Sequence, residues 1–456
     1  MHFIKNLKEP IIALATATGV AAISVIRISG TQIIPLFQPF FLGKNPEKFK
    51  SHSLYLGFII DENGKKLDQV LVSFFKSPKS YTKEDVIEIS CHGSPFIVQE
   101  IISLFLRNGI RLAQKGEFTL RAFLNGQMDL SQAEAVADLI AANSEKSVQL
   151  ALDQMRGGFS KEISLLREEL IHFASLIELE LDFGEEDVEF ANRADLEILV
   201  QKLLTKINAL KSSFQWGNVI KNGVQTALIG RPNAGKSTLL NALLNEERAI
   251  VSEIPGTTRD TIEELIHIDG IPFRFIDTAG IRNAEDQIEA LGIEKTREKI
   301  ATAQLLIYLF DAELVSMDEV QKDLSALSLE GKSILVVANK IDLTELASDY
   351  IREGIMGISA KEKIKIDSLK QKIFDLVLSD IPEQDQTVIS NLRHYEALSL
   401  AEQALSQVEN GLHNARSGDF LAMDIRHALA YLGQITGEVG VEDLLEHIFS
   451  KFCIGK

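Results

Sequence analysis

The chain has 456 residues, 45% of them hydrophobic and 25% charged, which is typical of a soluble globular protein with two or three domains. Its formal net charge of −18 argues against non-specific nucleic-acid binding over a broad face, although a local basic site is compatible with it. The two cysteines, Cys91 and Cys453, lie far apart, so a disulfide framework is excluded and a reducing cytoplasm is expected. The apolar stretch 11–28 is broken by polar residues and predicts buried strands, not a signal peptide or a membrane span.

Mixed short apolar segments predict an α+β domain over the first 121 residues. Strands are expected over 25–28, 53–57, 69–74 and 86–89, and a helix over 96–107.

From about 122 to 214 the apolar residues recur at intervals of three and four, which predicts long amphipathic helices. The acidic run 185–189 interrupts them, and a solvated loop is favoured there over the alternative of a metal site. Strands then alternate with helices from about 223 to 380, which predicts a mostly parallel α/β sheet. Helical periodicity returns after Pro382, so we predict a helical domain into which a nucleotide-binding domain is inserted.

These patterns divide the chain into four segments. They are an α+β domain over 1–121, a first helical part over 122–220, an α/β domain over 221–380 and a second helical part over 381–456.

The segment Gly230–Ser237 (GRPNAGKS) fits the phosphate-binding loop pattern G-x-x-x-x-G-K-[ST]. A short strand over 225–229 precedes it, and a helix over 238–245 follows. In that context the backbone N–H groups surround a β-phosphate, Lys236 reaches the β- and γ-phosphates, and Ser237 places its hydroxyl on Mg²⁺. The flanking strand and helix argue against a chance match in a glycine-containing loop.

Two further motifs indicate guanine as the base. Asn339-Lys340-Ile341-Asp342 follows a strand over 334–338, and the Asp342 carboxylate can accept hydrogen bonds from an edge that guanine has and adenine lacks. Ser359-Ala360-Lys361 follows the last strand and would close over the base. An adenine-specific ATPase with chance matches is the alternative, and the order of the motifs argues against it.

Asp277-Thr278-Ala279-Gly280 follows a strand over 273–276. Asp277 can hold Mg²⁺ through water, and the Gly280 N–H can meet the γ-phosphate. Between this motif and the phosphate loop lies 255–260 (PGTTRD), a switch in which Thr258 completes the Mg²⁺ shell when the γ-phosphate is present.

Ras-like enzymes place a water-orienting glutamine directly after D-x-x-G, whereas this chain has Ile281 there. Glu285, Asp286 and Glu289 lie slightly downstream and are candidates for the replacement, and the residues alone do not choose among them.

With these motifs the chain resembles the MnmE (TrmE) family of tRNA uridine-modification GTPases over essentially its whole length. The resemblance rests also on RAFLNG at 121–126, DLSQAEA at 129–135 and FCIGK at 452–456. These three segments are not generic GTPase features. They separate this family from ribosome-assembly GTPases of the Era and Der types.

The resemblance implies a multidomain protein with an α+β N-terminal folate-binding domain that forms a constitutive homodimer, an all-α helical domain, and an inserted α/β P-loop GTPase (Ras-like) domain. It implies K⁺-stimulated GTP hydrolysis. It further implies that the protein acts with the FAD-dependent partner MnmG to add a (carboxymethyl)aminomethyl group to C5 of the wobble uridine (U34) of certain tRNAs. A tetrahydrofolate derivative, 5-formyl or 5,10-methylene, supplies the one-carbon unit.

The resemblance also assigns roles at the nucleotide site. Asn233, Ser252, Ile254 and Thr257 match the K⁺ ligands, Ser237 and Thr258 match the Mg²⁺ ligands, and Glu289 matches the residue that activates water. Glu289, Lys236 and Asn233 are the predicted catalytic residues. The predicted GTP site comprises Asn233, Ala234, Gly235, Lys236, Ser237, Thr238, Ser252, Glu253, Ile254, Pro255, Gly256, Thr257, Thr258, Asp277, Thr278, Ala279, Gly280, Asn339, Lys340, Asp342, Ser359, Ala360 and Lys361.

For folate, the resemblance assigns Arg27, Glu88 and the terminal Lys456. Gln127 falls where many members carry Lys or Arg, so a positive charge is replaced by an amide that can still donate a hydrogen bond. Cys453 matches the tail cysteine of the family, for which a functional thiol and a buried structural thiol are both open. The apolar end of the chain predicts a tail that docks on the N-terminal domain.

Three functions compete on the sequence: a GTP hydrolase of tRNA modification, a GTP-switched ribosome-assembly factor of the Era or Der type, and a ligand-binding module with a decayed GTPase. The N-terminal domain and the CIGK tail favour the first. Lys236, Asp277 and Asp342 are intact, which argues against the third.

Overall fold

The structure is a computed structural model that describes residues 7–182, 192–245, 264–276, 303–325, 332–344, 355–378, 387–414, 416–439, 445, 448–450 and 452–455. Some predicted site residues lie outside the described residues, and their roles stay predictions. They are Ser252 to Thr258, Asp277 to Gly280, Glu289 and Lys456, together with the acidic run 185–189.

The chain forms two compact units. One comprises Met1–Ile140, Leu152–Thr205 and Glu396–Lys456, and the other comprises Ala141–Ala151 and Lys206–Tyr395. The predicted α+β, all-α and α/β parts are all present, which confirms the multidomain layout.

A seven-stranded sheet with the order β3-β4-β5-β6-β2-β1-β7 forms the core of the N-terminal part. Only the β1–β7 pair within it is parallel, and the other pairs are antiparallel. The predicted strands and helix are confirmed, but β3, β7 and α1 have five residues or fewer and leave no periodic signal in the sequence. The bounds are β1 (Ile11–Leu14), β2 (Ile23–Gly30), α1 (Ile33–Phe37), β3 (Phe41–Gly43), β4 (Ser53–Ile60), β5 (Lys66–Phe75), β6 (Asp85–His92), α2 (Pro95–Arg107) and β7 (Arg111–Leu112).

The two faces of this sheet have different roles because successive side chains of a strand point to opposite faces. The inner face packs against α2, whose Val98, Ile101 and Phe105 are buried. Arg27 and Glu88 alternate with buried residues of β2 and β6 and are directly opposed in register, so both belong to the outer face.

Helices follow the sheet along the chain. They are α3 (Glu117–Leu124), α4 (Leu130–Ala141), α5 (Glu145–Met155), α6 (Gly158–Asp182) and α7 (Arg193–Asn222).

A buried ionic network fixes α3 against the strands. Arg121 is 2% exposed, and its guanidinium bonds Glu117 at 2.9 Å and Glu84 at 3.1 Å. Arg111 bonds the same Glu117 carboxylate at 2.6 Å. Burial raises the pKa of Glu117, but hydrogen bonds from Arg111, the Gln114 backbone and Arg121 outweigh it and hold that pKa below its ordinary value.

The second unit contains a six-stranded sheet with the order β13-β12-β11-β8-β10-β9. The predicted parallel arrangement is confirmed for β13 to β10, and β9 adds an antiparallel edge strand that the sequence pattern did not predict. The bounds are β8 (Val224–Ile229), α8 (Lys236–Asn245), β9 (Glu264–Ile268), β10 (Ile271–Phe275), β11 (Leu305–Asp311), α9 (Met317–Ser325), β12 (Ser333–Asn339), β13 (Met356–Gly357) and α10 (Ile366–Leu378).

Helices cover both faces of this sheet. Leu239 and Leu243 of α8 and Leu369 of α10 belong to one apolar cluster, and Val320 of α9 belongs to another. Because β8, β11 and β12 are adjacent and parallel, their carboxyl ends meet at one edge, where ligands bind in sheets of this kind.

The chain ends in helices α11 (Leu392–His413) and α12 (Gly418–Thr436). Helix α12 packs on α6 within the first unit, and Arg426 bonds Glu178 at 2.8 Å. Leu170 and Ile177 of α6 are fully buried, as is Ile425 of α12, so residues distant in sequence share one apolar seam. No helix among the described residues is long and apolar enough to cross a bilayer.

Replacing Arg121 should destabilise the fold, because Arg121→Ala leaves the buried Glu117 carboxylate with less compensation. We expect a loss of about 3–5 kcal/mol in the free energy of unfolding, measured by denaturant titration at neutral pH. The loss should shrink as the pH falls through the lowered pKa of Glu117, because protonation removes the charge that Arg121 compensates.

The control is Arg107→Ala, which breaks a pair with Glu62 whose side chains are 56% and 41% exposed. This variant should unfold like the unsubstituted protein. Equal stability of both variants would show that the Arg121 network contributes nothing measurable.

Candidate functional site

The phosphate loop connects β8 to α8 and has the backbone that its sequence predicts. Gly230 has φ +149°, and an added Cβ would lie 2.0 Å from the carbonyl oxygen of Leu309. Gly235 has φ +95°, and its Cβ would lie 2.3 Å from Nδ2 of Asn339. Both positions therefore require glycine. Between them, Asn233 adopts φ +62° at the exposed apex of the loop, a conformation that asparagine tolerates.

Lys236 begins α8 and turns its side chain back into the loop. Its Nζ donates to the carbonyl oxygens of Gly230 at 2.7 Å and Arg231 at 2.8 Å. Ser237 and Thr238 follow in the first turn of the same helix, where the helix dipole favours an anion. The ammonium group and the helix N-terminus thus supply positive charge at one place.

Asn339, at the end of β12, joins three predicted motifs. Its Nδ2 donates to the Ala234 carbonyl at 2.8 Å, and its Oδ1 accepts from the Ala360 N–H at 2.9 Å. Asn339 is 2% exposed and Ala234 is 1% exposed, so these bonds form away from solvent. The structure therefore brings the phosphate loop, the 339–342 motif and the 359–361 motif together.

The other residues of the base-recognition motifs lie close to this junction. Ser359 is buried, and its Oγ accepts from the Glu362 N–H at 3.2 Å. Asp342 is exposed in a short 3₁₀ turn, Ile341–Leu343, and Lys361 is 84% exposed. An exposed carboxylate at Asp342 is available to an entering base.

The sequence did not predict two groups of functional interest, because their partners are distant along the chain. Asp311, at the end of β11, accepts from Lys340 Nζ at 2.6 Å and so orients the lysine of the 339–342 motif. A polar residue at a strand end next to β12 is the signal that could have identified it.

The second group surrounds Arg231. Arg231 bonds Asp323 at 2.7 Å and Glu319 at 2.9 Å, and Tyr308 donates to Asp323 at 2.5 Å. The Arg231 guanidinium lowers the pKa of Asp323, and together with the Ser316 backbone it lowers the pKa of Glu319 to about 2. Burial, followed by the bond to Asp323, raises the pKa of Tyr308. Both carboxylates are therefore ionised at neutral pH.

A second candidate site lies on the outer face of the N-terminal sheet. Arg27 and Glu88 form a cross-strand ion pair, with Nε and Nη2 at 2.9 and 2.8 Å from Oε1. The side chains are 16% and 24% exposed, so the pair is largely but not fully buried. The guanidinium lies 5.5 Å from the Tyr81 ring centroid and 5.7 Å from that of Phe118. A cation, a carboxylate and aromatic rings are the groups that a folate would need.

The C-terminal tail docks beside this pair, as the sequence predicts. Ile454 bridges to Lys115, and the Gly455 carbonyl accepts from Arg27 Nη1 at 3.4 Å. An added Cβ at Gly455 would lie 2.2 Å from the Leu14 carbonyl oxygen, so the close approach requires glycine. Cys453 is exposed, which excludes the alternative of a buried structural thiol.

Gln127 is exposed in the turn after α3, where its N–H donates to the Ala122 carbonyl at 2.8 Å. The Gly126 carbonyl of the same turn accepts from Nζ of Lys83, a residue distant in the sequence, at 2.6 Å. The cation of Lys83 therefore lies beside the residue that precedes Gln127.

Two family models match the chain. The MnmE helical domain matches residues 130–453, and the N-terminus of GTP-binding protein TrmE matches residues 10–127. The chain is also similar over 98–99% of its length to proteins named tRNA modification GTPase MnmE, and the match covers 99–100% of each of them. The identities are 54% to the protein of Cytophaga hutchinsonii, 52% to that of Flavobacterium johnsoniae and 49% to that of Bacteroides fragilis.

Among solved structures, the G domain of the Thermotoga maritima FeoB iron transporter is 25% identical, with a TM-score of 0.25 over 34% of this chain and 98% of that one. Translation elongation factor SelB of Methanococcus maripaludis, in complex with the GTP analogue GppNHp, is 17% identical, with a TM-score of 0.27 over 35% of this chain and 34% of that one. Because the family models and the near full-length relatives agree, the chain belongs to the MnmE (TrmE) family of tRNA modification GTPases.

Proposed function

We propose that this GTP hydrolase is stimulated by K⁺ and acts in the cytoplasm with the flavoprotein MnmG. Together they add a (carboxymethyl)aminomethyl group to C5 of the wobble uridine (U34) of certain tRNAs, with a tetrahydrofolate derivative as the one-carbon source. One observation carries the proposal. Among the described residues, Asn339 joins the phosphate loop to the 359–361 motif, and the Arg27–Glu88 pair lies against the tail of the same chain.

The nucleotide half of the proposal follows from the phosphate-loop geometry. Lys236 and the N–H groups at the start of α8 receive the phosphates, while Asp342 receives the guanine edge. Ser237 and Thr258 would hold Mg²⁺, and Asn233, Ser252, Ile254 and Thr257 would hold K⁺. Amide, hydroxyl and carbonyl oxygens are suitable ligands for both ions.

The bound cations would supply positive charge beside the phosphates, which an arginine finger supplies in other GTPases. Within this chain, Glu289 would orient or deprotonate the attacking water, because Ile281 occupies the position of the usual glutamine. The exposed amide of Asn233 at the loop apex fits a cation that approaches from solvent.

The folate half follows from the outer face of the N-terminal sheet. Folate carries an anionic glutamate tail and a pterin ring with a donor–acceptor edge, and Arg27 and Glu88 offer groups of matching chemistry. Lys456 at the end of the docked tail would add a second cation, and Gln127 an amide. A ribosome-assembly factor of the Era or Der type would have no use for this pair, so tRNA modification is preferred.

A homodimer is proposed from the same face of the sheet. Leu42, Leu54, Leu56 and Leu71 are exposed by 50%, 65%, 62% and 44% on strands β3, β4 and β5. Leu56 and Leu71 are directly opposed in register, so these side chains form one apolar strip. A second copy of this strip is the self-complementary surface that a two-fold dimer needs.

We further propose that the domains span residues 1–121, 122–220, 221–380 and 381–456, where the second and fourth segments form one helical domain.

Cells that lack this protein should lose the modified wobble uridine from their tRNAs. Nucleoside analysis of digested tRNA by liquid chromatography and mass spectrometry would measure the loss. The full-length gene should restore the nucleoside, whereas a Lys236→Ala gene should not, because hydrolysis requires the phosphate-loop lysine. Unchanged nucleosides together with a ribosomal-subunit defect would support the assembly-factor function instead.

Hydrolysis of GTP should be fast in K⁺ and slow in Na⁺, since only one of the two cations fits a K⁺ site. Asn233→Ala should remove this difference, and Glu289→Ala should lose most hydrolysis with nucleotide affinity nearly kept. Phosphate release in matched KCl and NaCl buffers is the measurement. Equal rates of the unsubstituted protein in both salts would contradict the K⁺ site, and loss of binding in Glu289→Ala would assign that residue a structural role.

5-Formyltetrahydrofolate should bind the protein with micromolar affinity or better. Arg27→Ala should weaken binding about tenfold or more, because a charge-assisted hydrogen bond is lost. Deletion of residues 453–456 should also weaken it, and both variants should keep GTP hydrolysis.

Isothermal titration calorimetry on these variants is the test, with Arg107→Ala on the same domain as the matched control. The control should bind folate like the unsubstituted protein. Undiminished binding in both Arg27→Ala and the deletion would return Arg27 and the tail to a structural role.

A further inference from the structure

Arg231 is the second residue of the phosphate loop, and its side chain bonds two residues of α9. It forms a bidentate pair with Asp323, with Nε at 2.7 Å from Oδ2 and Nη2 at 3.1 Å from Oδ1. Its Nη1 donates to Glu319 Oε1 at 2.9 Å. The guanidinium therefore bonds two carboxylates one helical turn apart, in the fork geometry that arginine suits better than lysine.

Each carboxylate of this cluster is itself held by a second group. Tyr308, on the buried strand β11, donates to Asp323 at 2.5 Å. Glu319 Oε2 accepts from both the N–H and the hydroxyl of Ser316, each at 3.0 Å. Since β11 and the start of α9 are fixed by the fold, the cluster is a rigid attachment point for Arg231.

The backbone of Arg231 is tied into the loop at the same time. Its carbonyl oxygen accepts from Lys236 Nζ at 2.8 Å. Three residues later, the Ala234 carbonyl is held by Asn339 at 2.8 Å. Between these two attachments lie only Pro232 and Asn233, both exposed at the apex of the loop.

We propose that Arg231 is a positioning residue for GTP hydrolysis. Its ion pairs with Asp323 and Glu319 fix the apex of the phosphate loop. This places Asn233 to bind the cation and Lys236 to bind the phosphates. This role rests on the proposed K⁺-stimulated hydrolysis of GTP. Charged groups that are held in place before the reaction stabilise the transition state without reorganising, and small displacements of such groups reduce rates strongly.

If Arg231 had a purely structural role, its loss would lower the melting temperature and leave the kcat of the folded protein unchanged. The Arg231, Glu319 and Asp323 side chains are 37%, 42% and 29% exposed, and pairs so exposed contribute little to global stability. Loss of the cluster should therefore change kinetics while the melting temperature stays nearly constant.

The test is steady-state GTP hydrolysis by the full-length protein over a range of K⁺ concentrations, with melting temperatures measured in parallel. Arg231→Ala should lower kcat about tenfold or more and raise the K⁺ concentration that gives half of the maximal rate. Arg231→Lys should recover part of the rate, because it keeps the charge but not the fork. The matched control Lys322→Ala removes an exposed cation from the same helix outside the cluster and should behave like the unsubstituted protein.

Asp323→Asn breaks the cluster from the helix side and leaves the loop sequence intact. It should reproduce the effect of Arg231→Ala, and the double variant should be no slower than the slower single variant, because both remove one interaction. Additive losses, or an unchanged kcat and K⁺ requirement in Arg231→Ala, would overturn the proposal. A lower melting temperature with an unchanged kcat per folded molecule would also overturn it.

If the unsubstituted protein hydrolyses GTP equally in K⁺ and Na⁺, the K⁺ proposal fails by itself. The positioning role is then decided by kcat and by the coupling between Arg231→Ala and Asp323→Asn.

Discussion

The nucleotide site depends on the two hydrogen bonds that the side-chain amide of Asn339 makes. Its nitrogen holds the phosphate loop through Ala234, and its oxygen holds the 359–361 segment through Ala360. Because the amide is 2% exposed, its loss would leave a buried carbonyl and a buried N–H without partners. An asparagine suits this position since one planar group donates and accepts in opposite directions.

Functional cations in this acidic chain are held by hydrogen-bonding partners, some within the same loop and others distant in the sequence. Lys236 is held by loop carbonyls, Lys340 by Asp311, Arg231 by Asp323 and Arg27 by Glu88. Each contact fixes a flexible side chain in advance, so less conformational entropy is lost when an anionic ligand binds. The net charge of −18 is therefore compatible with phosphate binding, because the local arrangement of charge decides the outcome.

Side chains alternate between the two faces of the N-terminal sheet, and the two faces have different roles. The inner face supplies the apolar core with α2, while the outer face carries the Arg27–Glu88 pair and the leucine strip of β3, β4 and β5. The buried Arg121 network holds α3 close to the outer-face site, since Phe118 of that helix lies beside Arg27. Helix α3 thus contributes Arg121 to the stability of the fold and Phe118 to the proposed folate site.

Much of this protein was determined by local sequence. The phosphate loop is encoded within eight residues, since two glycines and a lysine at fixed spacing define one backbone shape, and periodicities of two and of 3.6 located the main strands and helices. Local sequence could not identify partners: Arg27 and Glu88 are separated by 61 residues, Ala234 and Asn339 by 105, and Arg27 and Gly455 by 428. Strand order and register decide such pairs, and both follow from packing of the whole chain. For the same reason only the tertiary structure disclosed the antiparallel strand β9, the Asp311–Lys340 bond and the attachment of Arg231 to α9.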